Sequence, residues 1–216
     1  MKRPNIRKLM LIVSMLLFPV TLYYLSPVLI INGAFSHVAN GSFFVFCGML
    51  VLSVPFGRFF CGYLCPAGGI QECAYTVNDK VRSGKGDIVK YIIWTLWLTA
   101  VIVCYIINGI NSADPFYKTE HGISVTNIQS YIIYYGIISL VLIPSVIGGK
   151  RTFCRCFCWM APFMITGTKL RRAARLPGLH IGAADGCIGC GKCSRSCPMG
   201  IDVKSAAVTG SIDSAE

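Results

Sequence analysis

Phe60-Cys61-Gly62-Tyr63-Leu64-Cys65 recurs in the second half of the chain as Phe153-Cys154-Arg155-Cys156-Phe157-Cys158. Each copy follows a pair of apolar stretches, so the chain reads as one unit written twice. Residues four apart on a helical or turn backbone point the same way, which makes Cys61 with Cys65, and Cys154 with Cys158, two pincers. Because two helices separate the copies, both keep one orientation, and a pseudo-two-fold axis along the membrane normal would bring them face to face. Four thiolates would then converge from the two halves. By count they suit an iron–sulfur cluster or zinc equally. Redox-active thiols, or cysteines used as small apolar packing residues, are the other readings.

The apolar stretches have membrane character. Of 216 residues, 54% are hydrophobic and 13% charged, with a mean hydropathy of +0.62, a composition unlike that of soluble domains. Leu9 to Ile31 runs 23 residues without a charge, about 34 Å as a helix against a hydrocarbon core of about 30 Å. Pro19 and Pro27 are expected to kink it. Further spans are expected over 42–57, 88–110 and 128–149. The basic start, Lys2, Arg3, Arg7 and Lys8, places the N-terminus inside. On that topology 19 of the 20 Lys and Arg lie inside and only Lys118 outside, as the positive-inside rule asks. The net charge of +11 then belongs to inner loops. No DNA-binding motif is visible, and no nucleic-acid partner is expected. Nor is a cleavable signal peptide, since the first apolar stretch is long enough to span.

The remaining cysteines concentrate in Cys187-Ile188-Gly189-Cys190-Gly191-Lys192-Cys193-Ser194-Arg195-Ser196-Cys197-Pro198, which is C-x2-C-x2-C-x3-C-P, the bacterial ferredoxin run for a [4Fe-4S] cluster. Two-residue gaps let one tight loop reach several corners of a cube, and Gly189 and Gly191 let the backbone bend close to it. Zinc sites usually separate two pairs by a longer insert. In two-cluster ferredoxins the fourth Cys of such a run serves the other cluster, so Cys197 could close its own cluster or be donated to the site between the repeats. Cys61, Cys65, Cys154, Cys158, Cys187, Cys190, Cys193 and Cys197 make eight candidate metal ligands, enough for two [4Fe-4S] clusters. Cys156 and Cys73 are weaker candidates; Cys47 and Cys104 lie inside expected spans and read as packing residues. Thiols spaced for metal belong on a reducing, cytoplasmic side.

The expected fold is therefore an all-α membrane protein of four transmembrane helices in two repeated hairpins, both termini inside, with a small cytoplasmic ferredoxin-like segment. Residues 1–168 form the membrane domain, 169–186 a basic juxtamembrane segment and linker, and 187–216 the ferredoxin-like segment and tail. The location follows: multi-pass in a prokaryotic cytoplasmic (inner) membrane, with the clusters on the cytoplasmic side.

With these motifs the chain resembles the membrane-bound polyferredoxin proteins of the NapH, NosR and CcoG type. The resemblance rests on Cys61-Gly62-Tyr63-Leu64-Cys65-Pro66, on its second copy at Cys154 to Cys158, and on the run from Cys187 to Pro198. It implies electron transfer at the cytoplasmic membrane, often from the quinol pool toward extracytoplasmic reductases; some members instead reduce a metal during enzyme assembly. This chain departs from the pattern in two respects: Trp159 stands where proline would follow Cys158, and there is one ferredoxin run where relatives usually have two. It thus reads as one subunit of a relay, with a cytoplasmic donor or the quinone pool on one side and other redox subunits of a membrane complex on the other. An assembly factor delivering or reducing a metal for an extracytoplasmic enzyme is the alternative. No phosphate loop, dinucleotide fingerprint or nucleophile motif is present. Clusters at one face do not span the bilayer, so quinone, haem or flavin is expected to assist. His37 and His121, on the two outer loops at roughly equivalent repeat positions, are the candidate cofactor ligands.

Overall fold

The computed structural model describes residues 3–75, 77, 78, 80, 87–175, 187–197, 203 and 204. Residues 176–186 of the expected linker and most of the C-terminal tail lie outside them.

The protein is mostly helical. The first apolar stretch is not one kinked helix. It divides into α1 (Arg3–Leu16), α2 (Phe18–Thr21), a 3-10 turn (Tyr23–Leu25) and α3 (Pro27–Phe35). Proline explains the division. Ser26 is extended, with ψ 118°, the conformation that a following proline imposes, so Pro27 begins a new helix instead of continuing the old one. β1 (Val38–Asn40) leads into α4 (Gly41–Phe56), whose first turn is capped by Asn40 accepting from the Phe43 amide at 3.1 Å. α5 (Phe59–Tyr63) and α6 (Pro66–Ala74) follow.

The second half repeats the plan. α7 (Asp87–Asn108) is followed by β2 (Ser112–Asp114) and α8 (Ile128–Gly148), then by α9 (Thr152–Cys156) and α10 (Ala161–Ala173). A last short helix, α11 (Lys192–Ser196), lies in the ferredoxin run. β1 and β2 pair in parallel, Val38 opposite Ser112 and Asn40 opposite Asp114. This minimal sheet, which the sequence pattern does not announce, ties together the loops at the end of the bundle remote from the cysteines.

The two halves interlock. α6 leaves α4 and packs between α1 and α8, while α10 leaves α8 and packs on α4; α5 lies against α1, and α9 against α7. Phe163 of α10 is the keystone on one side. Its ring meets Phe46 of α4 at 5.4 Å and Trp94 and Trp97 of α7 at 5.5 and 5.9 Å, all edge to face, the geometry the aromatic quadrupole favours. Trp97 also donates its indole N–H to the Pro27 carbonyl at 3.0 Å, fixing α7 to α3.

α7 and α8 are long and apolar enough to cross a membrane, and α4 is a shorter apolar helix. Few of their residues are covered by the rest of the protein: Ile106, Ile107, Ile128 and Ile147 are each at least three-quarters exposed. In water such a surface would be costly, at roughly 25 cal/mol per Å2 of apolar area.

The α4–α10 contact depends on Gly167. A Cβ there would collide with the Ser53 hydroxyl, stand 2.8 Å from the Ser53 Cβ, and lie 3.2 Å from the Leu50 carbonyl. Gly167→Ala should destabilise the protein by about 1–3 kcal/mol through overpacking. Ser53→Gly in the same chain should restore much of the loss, since both leading clashes are with that side chain. Thermal melts of the single and double variants in detergent measure the coupling.

Candidate metal centre between the repeats

Both Cys-x3-Cys copies fold into the same one-turn device. In the first, the Phe60 carbonyl accepts from Leu64 N at 2.9 Å and Cys65 N at 3.0 Å; in the second, the Phe153 carbonyl accepts from Phe157 N at 2.9 Å and Cys158 N at 3.1 Å. The preceding turn matches as well: Gly62 N donates to the Arg58 carbonyl at 3.2 Å and Arg155 N to the Arg151 carbonyl at 3.1 Å. One sequence pattern has produced one backbone geometry twice.

The interlocked halves then bring the four thiols together. Cys65 and Cys158 are buried, and Cys61 and Cys154 half-buried. The Cys154 and Cys158 thiols hydrogen-bond to each other, the charges of Cys61 and Cys65 act on Cys158, and that of Cys154 acts on Cys61 and Cys65. Burial, with the neighbouring thiolate at Cys154, pushes Cys61 up to about 11 and Cys65 up to about 12. Cys154 moves the other way, to about 6. The hydrogen bond from Cys158 contributes most, aided by Arg151, the Gln71 amide and Arg58 against the opposing effect of burial. Cys158 supplies the shared proton and is raised accordingly.

Two side chains that sequence spacing did not single out surround these thiols. Gln71 of α6, fully buried, donates to Cys154 Sγ at 2.9 Å and to the Ala67 carbonyl at 3.0 Å. Its Oε1 has no hydrogen-bond partner. Arg151, only 1% exposed, donates from Nη1 to the Cys61 carbonyl at 2.8 Å and from Nε to the Tyr75 hydroxyl at 3.3 Å. A signal for the arginine was available: Arg58 and Arg151 each stand three residues before the first Cys of their copy.

Among the described residues, no three or more His, Cys, Asp or Glu side chains close around a single-ion position. The donor set fits a larger object better. A [4Fe-4S] cube takes its thiolates at separate corners, and four soft thiol donors within electrostatic reach of one another, with the Gln71 N–H on Cys154 and the Arg151 guanidinium on the Cys61 carbonyl, suit the chemistry of such a group.

The ferredoxin run lies beside this site. Gly189 and Gly191 take φ of +67° and +68°, the left-handed turns that bend the loop. Cys187, Cys190 and Cys193 are exposed and Cys197 is half-buried. The buried Lys150, next to Arg151, donates from Nζ to the Arg195 carbonyl at 2.8 Å, tethering α11 to the start of the second motif. Arg195 in turn reaches back to the Cys190 carbonyl at 3.2 Å.

Cys156 is buried, Cys73 and Cys47 are exposed, and Cys104 is half-buried. His37 sits at a φ of +60°, its Nδ1 2.5 Å from the Asn108 carbonyl. His121, also left-handed, is exposed in the loop before α8.

The family model described as a 4Fe-4S binding domain matches residues 40–83 and again 132–177, one match per repeat, each containing one Cys-x3-Cys motif. The matches together cover under half of the chain and leave out the run at 187–197. They support an iron–sulfur, ferredoxin-like family and 4Fe-4S binding. Two uncharacterized proteins of Methanocaldococcus jannaschii are similar to the chain. MJ0750 is 27% identical over 169 residues, covering 72% of this chain and 64% of its own length. MJ0749 is 26% identical over 168 residues, covering 71% and 56%. The chain thus spans about three-fifths of the length of these curated relatives. No solved structure matches it.

In the metal-free protein, Cys154 should be the thiol of the paired motifs most open to alkylation at neutral pH. A thiol reacts as its thiolate, so its iodoacetamide rate should rise through a midpoint of about 6. Cys61 and Cys65 should stay protonated and slow until far more alkaline pH. Peptide mapping of the alkylated sites across pH 5–9 tests the order.

Proposed function

We propose that the chain is a membrane-anchored iron–sulfur subunit that relays single electrons between a cytoplasmic donor or the quinone pool and a partner redox protein. The observation that carries this reading is the meeting of Cys61, Cys65, Cys154 and Cys158 between the two halves, with the ferredoxin run tethered alongside by Lys150. Cys61, Cys65, Cys154 and Cys158 would hold one [4Fe-4S] cluster, and Cys187, Cys190, Cys193 and Cys197 a second. Bound clusters supply one-electron storage at a potential tuned by their surroundings.

The protein's own contribution is to hold the thiols and exclude water. Phe60 and Phe153 carbonyls fix the two motif turns, Gln71 orients Cys154, and the Phe153 and Trp159 rings, edge to face at 6.0 Å, cover the second motif. The exposed apolar surfaces of α7 and α8 favour a bilayer as their covering, with α4 and the α1–α3 segment completing a four-part membrane domain. The basic residues then put the cysteine end at the cytoplasmic face of a prokaryotic inner membrane. An apolar cavity of about 360 Å3 between α4, α5 and α10 is lined by Met49, Phe56, Phe60, Leu64 and Met164 among others, Phe60 and Leu64 being the chain neighbours of Cys61 and Cys65. It suits the ring of a membrane quinone.

One observation favours a second reading. The Cys154–Cys158 pair shares a proton, as metal-exchanging or redox-active thiols do, which fits an assembly factor that reduces or delivers a metal. Iron and acid-labile sulfide in anaerobically purified protein separate the two. The relay predicts about eight irons per chain, four per cluster, falling to about four in a Cys61→Ser/Cys154→Ser variant with one of two reduced-state EPR signals lost. About four irons in both proteins would leave the paired thiols without a cluster and put the assembly factor first.

A further inference from the structure

Arg151 carries a charge that its carboxylate neighbour does not neutralise. It is 1% exposed and held in the left-handed region, φ +48°, as the residue that opens α9. Its nearest carboxylate oxygen, Glu72 Oε2, is 3.9 Å from Nη2, too far for a hydrogen bond. Glu72 is instead drawn to Arg7, which forms the close ion pair with Oε1. Nη2 of Arg151 and Oε2 of Glu72 both lack hydrogen-bond partners. Two cations therefore share one carboxylate, and the surplus positive charge is buried. A buried charge without a counter-charge is costly, so this arrangement calls for an anion nearby.

The geometry supplies one place for it. Nη1 of Arg151 grips the Cys61 carbonyl at 2.8 Å, so a residue of the second motif is bolted to the backbone of the first. Its charge acts on Cys61, Cys65 and Cys154. From the side of α6, Gln71 adds an N–H directed at Cys154 Sγ at 2.9 Å. Arg58, at the matching position of the first copy, acts on Cys61 and Cys154.

We propose that Arg151, with Gln71, forms a fixed electropositive floor beneath the paired cysteines that raises the reduction potential of the cluster held there relative to that of the ferredoxin run. The inference rests on the cluster reading above. Four thiolates around a [4Fe-4S] core are a net anion, and reduction adds one further negative charge without making or breaking a bond. A buried cation and an N–H donated to a thiolate sulfur stabilise the reduced form more than the oxidised one. The ferredoxin run has the Lys150 ammonium at its Arg195 carbonyl, but three of its four cysteines are exposed, and solvent screens a charge there as it does not around the buried thiols. The asymmetry gives the relay a direction: electrons settle at the paired site. Arg151 is a positioning and tuning residue; it binds no iron.

Potentiometric EPR titration of the full-length protein tests this, with iron counted in every sample. Arg151→Lys keeps the charge and should retain the wild-type midpoints. Arg151→Gln should keep its iron and lower the midpoint of one signal, the one absent from Cys61→Ser/Cys154→Ser, leaving the other in place. Should Arg151→Gln fail to fold or to retain iron, Gln71→Leu carries the same test through the N–H···S bond alone, with the same signal moving in the same direction. Full iron with unmoved midpoints in the variant that folds would overturn the inference while leaving the cluster reading intact. An equal fall in both Arg151→Lys and Arg151→Gln would also overturn it, since the charge would then be irrelevant. About four irons in the wild type, four per remaining cluster, would instead remove the cluster reading itself, and the inference with it.

Discussion

The buried guanidinium of Arg151 is the constraint around which the cysteine end is arranged. It belongs to the second half by sequence, yet its best hydrogen bond is to the carbonyl of Cys61 in the first, and its Nε bond is to Tyr75 just after α6. A side chain with five N–H donors in a rigid fork can hold several acceptors in one geometry. Here it fixes the spacing between the two motifs. Gly68 shows how tightly: a Cβ there would stand 3.3 Å from the Cys61 carbonyl and 3.4 Å from Arg151 Nη2. Small residues along α6 let the helix approach, and the approach lets Gln71 reach Cys154.

The repeated motif was legible in the sequence because its chemistry depends on spacing, and spacing survives in one dimension. The two later apolar helices were equally legible: 88–110 and 128–149 were expected, and α7 and α8 cover Asp87–Asn108 and Ile128–Gly148. Long uncharged runs bounded by polar residues leave little freedom. The first apolar run was harder, because hydropathy records that residues avoid water and says nothing of backbone continuity. Two prolines eight residues apart, at Pro19 and Pro27, turned a single expected span into α1, α2, a 3-10 turn and α3.

Other features were hidden for a different reason. α6 and α10 are moderately polar, short of span length, and lie where connecting loops and a basic juxtamembrane stretch were expected; Lys169, Arg171 and Arg172 are in α10. Their identity as helices comes from what they pack against, across the pseudo-symmetry, which no local pattern encodes. Arg151 reads in one dimension as a charge that stops a membrane helix, and Gln71 as a loop amide. Only the folded structure reveals that Gln71 is aimed at the Cys154 thiol and Arg151 at the Cys61 carbonyl. His37, chosen as a ligand candidate by its loop position, is engaged with the Asn108 carbonyl beside the β1–β2 pairing.

The exchange of α6 and α10 between halves has a consequence for how the protein comes into being. Chains are synthesised from the N-terminus, and domains generally fold in that order. Here Cys61 and Cys65 emerge early, with α1 already made for α6 to pack on, but α8, the other helix against α6, and Arg151, the side chain that grips Cys61, come much later. The first motif therefore has α1 beside it from the start but waits for the partners that come from the second half. The meeting of the four thiols is thus a whole-chain event, complete only when the second half has been made.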